Sequence, residues 1–209
     1  MSGDSAGRWS QAAKLAGWAL LMAPLTILLH ELGHFAVAAG TGWPAQLRPM
    51  SVSGGAEGGQ LGMGLVALQA GAGPIVTVIV GLVAGLLYLG DRDRLWALAI
   101  AVAAVSRMFV TTSYLTVRAV LWVTGQPFGG KPNFDEHNVA VALGLPPVLL
   151  ALVTTIFLFA VVYWLMRAVP RGRRLLFAIA LVAGTALGTM AWGSLMPPVL
   201  LSVGSGAAI

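Results

Sequence analysis

Leu15–Gly40, reading LAGWALLMAPLTILLHELGHFAVAAG, decides the fold. A helix crossing a bilayer needs about 20 apolar residues, and this run supplies them. His30, Glu31 and His34 stand inside it. Residues four apart share a helix face, so both imidazoles can reach one zinc ion. Glu31 then lies next to the metal, where a carboxylate can take a proton from water. Lone polar residues in membrane helices commonly serve as interhelical glue. Here, however, two of the chain's 3 His fall at ligand spacing around a Glu. Ionisable groups at membrane depth cost roughly 2.5–3.5 kcal/mol each, so such a cluster needs a reason. The pattern predicts metal-assisted hydrolysis of peptide bonds within or near the bilayer.

The rest of the chain is of the same character. Of its 209 residues 58% are hydrophobic and 9% charged, far from the composition of soluble domains. This predicts an all-α polytopic membrane protein. Spans of adequate length fall at about 15–40, 61–89, 95–123, 148–169 and 175–201, the last interrupted by Pro197-Pro198. They form a single membrane-embedded domain over 15–201, between a polar tail at 1–14 and a C-terminal tail at 202–209. Because a cleaved leader would remove His30 and His34, the first segment is read as a retained span. The absence of Cys rules out disulfides and thiolate ligands.

Arg8, Lys14, Arg92, Arg94, Arg167, Arg171, Arg173 and Arg174 fall on one side of this arrangement, and only Arg48 and Lys131 on the other. The positive-inside rule makes the crowded side cytoplasmic, with the N-terminus inside, in a cell (inner) membrane. The same asymmetry accounts for the net charge of +5, so nucleic-acid binding is not expected.

A catalytic zinc site typically has three protein ligands. Candidates for the third lie in Asn133-Phe134-Asp135-Glu136-His137-Asn138, where Asn133 and Glu136 are spaced as a helix cap and its partner. Asp135 is the first choice and His137 the substitute. With five spans, the His34 end of the first helix and the Asp135 segment come out on the same side of the membrane. Pro146-Pro147 should break the chain soon afterwards. Gln69, Gly73 and Thr77 form a polar, small-residue stripe on the second span, suited to close packing or to binding a substrate carbonyl. Arg107, Thr111, Tyr114 and Arg118 share a face of the third. Arg107 should pair with a carboxylate, Glu57 or Glu136, or stabilise an oxyanion. Gly81/Gly85 and Gly184/Gly188 read as packing notches.

The run His30-Glu31-Leu32-Gly33-His34, followed by Ala38-Ala39-Gly40 and Gly54-Gly55, resembles the opening of the site-2 protease family of intramembrane zinc metalloproteases. Gly71-Ala72-Gly73-Pro74 is similar to that family's Gly-Pro motif. The later motif, Phe134-Asp135-Glu136, departs from the family's Leu-Asp-Gly, and Thr77 stands where Asn is frequent. The resemblance implies a short β-hairpin or re-entrant loop after the first helix, over Gln46–Gln60. It also implies zinc held by the two His and a later Asp, the motif Glu as base, and membrane-protein substrates cleaved in a transmembrane helix. An unwound substrate could add as a strand to the hairpin edge. The family's site usually lies toward the cytosol, whereas the charge count places this one toward the exterior. Two other readings fit the same residues: a catalytically silent scaffold of this fold, and a metal or proton pathway.

Overall fold

The computed structural model describes residues 3–54, 62–127 and 134–203. Its elements in chain order are helix α1 (Gly3–Gly40), strands β1 (Ala45–Arg48) and β2 (Ser51–Gly54), and helices α2 (Met63–Gly90), α3 (Leu95–Val105), α4 (Met108–Thr124), α5 (Asp135–Ala142) and α6 (Pro147–Ala168). A short 3-10 turn (Arg171–Arg173), helix α7 (Arg174–Leu195) and strand β3 (Leu201–Val203) complete the chain. Among the described residues, five helical stretches are long and apolar enough to cross a membrane: Ala6–Gly40, Met63–Gly90, Leu95–Thr124, Pro147–Ala168 and Arg171–Leu195.

Small side chains make up much of the interior, beside larger ones such as Tyr88, Leu98, Leu158 and Leu165. In α3, Ala97, Ala99, Ala101, Ala103 and Ala104 are buried, and α1 and α2 pack on this helix. Alanine and glycine let backbones approach closely, which favours dispersion contacts between helices. Gly184 and Gly188 do this for α7 against α1, where an added Cβ would run into the carbonyls of Ala16 and Leu20. Gly81 and Gly85 seat α2 against Ala101, Val105 and Leu165 in the same way. Many other large side chains point outward: Leu68, Ile75, Ile79, Val83 and Leu86 on α2, and Leu149, Val153 and Ile156 on α6, are exposed.

The structure adds detail at three places. From Gly3 the polar N-terminal stretch forms the first turns of α1, and Ala12 and Leu15 enter the core together. The third span, found at Leu95–Thr124, is interrupted at Ser106–Arg107, between α3 and α4. At that point Arg107 makes three charge-assisted hydrogen bonds to Asp135 and Glu136. As the Pro197-Pro198 interruption implied, α7 ends at Leu195; what was not expected is that the chain then returns as β3.

The sheet has the order β2-β1-β3, with Gln46 opposite Ser53 on one side and Ser202 on the other. The hairpin therefore occupies part of the expected region; the remainder, from Gly55 to Gln60, lies outside the described residues, as does Glu57. Trp192 on α7 donates its indole N–H to the Pro49 carbonyl at 2.6 Å, fastening the β1–β2 turn to the bundle.

Candidate metal centre

α1 carries His30, Glu31 and His34 on consecutive turns where it crosses α2, and the crossing is close because both helices have glycine there. A Cβ on Gly33 would stand 2.9 Å from the Ala72 carbonyl oxygen. A Cβ on Gly73 would meet both imidazoles, 2.8 Å from His30 Nε2. The two rings meet edge to face with centroids 4.8 Å apart. Their Nε2 atoms are separated by 3.1 Å.

α5 brings the third group. Asp135, at its first residue, places Oδ2 3.0 Å from His30 Nε2 and Oδ1 3.4 Å from His34 Nε2. Ligands about 2.0–2.1 Å from a tetrahedral ion stand roughly 3.3 Å from one another. The spacing of these atoms suits one such ion, and the donor set of two imidazoles and a carboxylate suits zinc. His30, His34 and Asp135 form a group that could hold a metal ion.

The surroundings orient these ligands. The Gln69 carbonyl can only accept, so His34 donates Nδ1–H to it at 2.6 Å and keeps the Nε2 lone pair directed at the cluster. Arg107, at the α3–α4 break, donates from Nε and Nη2 to the two Glu136 oxygens at 3.0 and 2.7 Å. Nη2 also donates to Asp135 Oδ2 at 3.0 Å, and Nη1 lies 3.1 Å from His30 Nδ1. Burial alone would raise the Asp135 carboxyl. The contacts of His30 and His34 with this carboxylate, and the Arg107 charge beside it, outweigh that and hold it well below the usual carboxylate range.

Glu31 is buried, at 8% exposure, and lines the same cavity as the ligand group. This cavity, about 1420 Å³, extends from the cluster to Ser51 and Val52 of β2, to Phe109 of α4 and to Val182 of α7.

The other candidates are placed differently. His137 does not join the ligand group but packs near the rings of Tyr114 and Phe134, at 6.2 and 6.0 Å. Burial lowers its pKa, with Arg118 acting in the same direction. The reason is helical geometry: residues two apart on α5 point to opposite sides, so Asp135 and His137 cannot both face α1. Gln69 contributes through its backbone carbonyl. The Thr77 hydroxyl donates to the carbonyls of Gly73 and Pro74 within α2, which leaves no proton for a substrate oxyanion. Arg107 takes up Glu136, as one of the two expected pairings had it. The N-cap position of α5 is held by Phe134, since the helix begins at Asp135; Asn133 lies outside the described residues. Glu136 was expected only as a partner of Arg107; that the pair stands beside the ligand group was not foreseen.

No family model matches the chain, and comparisons with curated proteins and with solved structures also give no match.

Proposed function

We propose that this protein is an integral membrane zinc endopeptidase that hydrolyses peptide bonds in or near transmembrane segments of membrane-protein substrates. The observation that carries the reading is the convergence of His30, His34 and Asp135, from α1 and α5, at spacings suited to one tetrahedral ion. The membrane part rests on the five apolar helices and on large aliphatic side chains turned outward around an alanine-rich interior. The resemblance of the His30–His34 motif to the site-2 protease family supports the same conclusion.

In this reading His30, His34 and Asp135 hold the ion. Bound zinc supplies a water acidified to a pKa of about 7 and polarisation of the scissile carbonyl. Glu31 acts as general base and then returns the proton to the leaving amine. Gln69 fixes the His34 tautomer through its carbonyl. A substrate segment must unwind to expose its peptide bond. The outer edge of β2 could then pair with it, because β1 is flanked on both sides and Ser51 and Val52 line the cavity. Phe109 and Val182 form apolar walls suited to the neighbouring substrate side chains.

The test uses purified wild type, Glu31→Gln and Asp135→Ala with a panel of transmembrane peptides. Zinc content and peptide products are read together. Wild type should bind one zinc per chain and release products that a chelator abolishes. Glu31→Gln should keep the zinc and release none. Zinc binding without any product from wild type would favour a silent scaffold; equal products from Glu31→Gln would remove Glu31 as base.

A further inference from the structure

Arg107 lies at a break in an otherwise continuous apolar run, with its side chain 12% exposed, and so needs an explanation. An oxyanion role would require free N–H groups directed into the cavity. Instead Nε and Nη2 form a two-pronged grip on Glu136, and Nη2 continues to Asp135 Oδ2. Most of the fork is committed to two adjacent carboxylates at the start of α5.

We propose that Arg107 and Glu136 are positioning residues that set the Asp135 carboxylate for metal binding. Resting on the zinc reading above, the inference adds a part that the His-Glu motif does not contain. Asp135 is the one ligand of the three carried on a different helix from the imidazoles. Its place therefore depends on how α5 docks. Glu136 follows it in sequence and is 4% exposed, so gripping Glu136 fixes the first turn of α5, and the remaining Nη2 bond orients Asp135 within that turn. The grip also matters electrostatically. Glu136 balances the guanidinium charge, which allows a cationic side chain to stand beside a site for a divalent ion. Lys could supply the charge but cannot bridge two carboxylates in a planar fork.

The experiment measures zinc affinity of the detergent-solubilised full chain by competition with a fluorescent chelator, with helical circular dichroism and thermal melting as folding controls. Arg107→Gln should weaken zinc binding 10–100-fold, the range typical of losing a partner that orients a ligand. Because that change also strands a buried Glu136 charge, Arg107→Gln/Glu136→Gln is the second variant. It should recover melting without recovering zinc affinity. In an Asp135→Asn background, Arg107→Gln should add much less loss than in wild type, since of its contacts with the ligands only that of Nη1 with His30 would remain. Zinc affinity unchanged or tightened in the double variant, or a full additive loss in the Asp135→Asn background, would overturn the proposal. A wild type that binds no zinc would remove the metal centre itself; a zinc-binding wild type with an indifferent Arg107 would remove only this inference.

Discussion

At the residue scale the centre depends on two imidazoles held against a glycine. Gly73→Ala would place a methyl group within 2.8 Å of His30 Nε2, so the rings must turn away. The expected result is at least a ten-fold loss of zinc affinity with helical content kept, measured by chelator competition and circular dichroism. pH provides a second check. Asp135 is held below the usual carboxylate range and stays ionised in mild acid, so it is not the group whose protonation releases the ion. The imidazoles are, since a ligand must be deprotonated to bind. Protons therefore compete with metal for the two rings. Zinc affinity should be level at alkaline pH and fall in mild acid, more steeply than for a single ligand because both rings must lose their protons to bind. A fall confined to pH below about 4 would implicate Asp135 instead.

At the scale of elements, some features are written locally in the chain and others are not. The His30–His34 face needs only the helical repeat, whereas the hairpin was expected only from the family resemblance. The α3–α4 break could not be read from Leu95 to Val123, because no proline or glycine interrupts that run. It falls at Arg107, whose two carboxylate partners come from α5 and are close only after folding. β3 is equally hidden: three residues pair with β1 because α7 delivers them there. The choice of Asp135 over His137 was left open by composition and is made by which side of α5 faces α1. These long-range links also predict local costs. Thr155 donates to Thr111 at 2.7 Å between α6 and α4, and Thr155→Val should cost about 0.6 kcal/mol, typical of such bonds between membrane helices. Trp192→Phe removes the bond to Pro49 and should quicken amide exchange at Ser51–Ser53 while zinc affinity is kept. Unchanged exchange would mean that β3 alone fixes the hairpin.

For the whole molecule, the basic residues of the α2–α3 and α6–α7 connections and of the start of α1 gather at one end of the bundle. The α6–α7 connection meets the start of α1 there, through the Arg173–Gln11 hydrogen bond. Asp91–Arg94 and the Arg92–Tyr88 cation–π contact mark the α2–α3 turn. The Asp135 start of α5, the hairpin and the C-terminal end of α4 belong to the opposite end. Lys and Arg resist transfer across a membrane, so the arginine-rich end should be cytoplasmic and the hairpin end exterior. The chain has no Cys, so single cysteines report orientation without background. Gly172 in the 3-10 turn has open space around its Cβ position, and Gln126 just after α4 is exposed. A membrane-impermeant thiol reagent added to intact cells should label Gln126→Cys and not Gly172→Cys. The reverse pattern would turn the centre toward the cytosol, the side that the family resemblance implies. The metal ligands would be unaffected in that case. The substrate segment reached by the β2 edge would be the cytoplasmic end of its helix instead of the exterior one, so this labelling also decides where cleavage products should be sought.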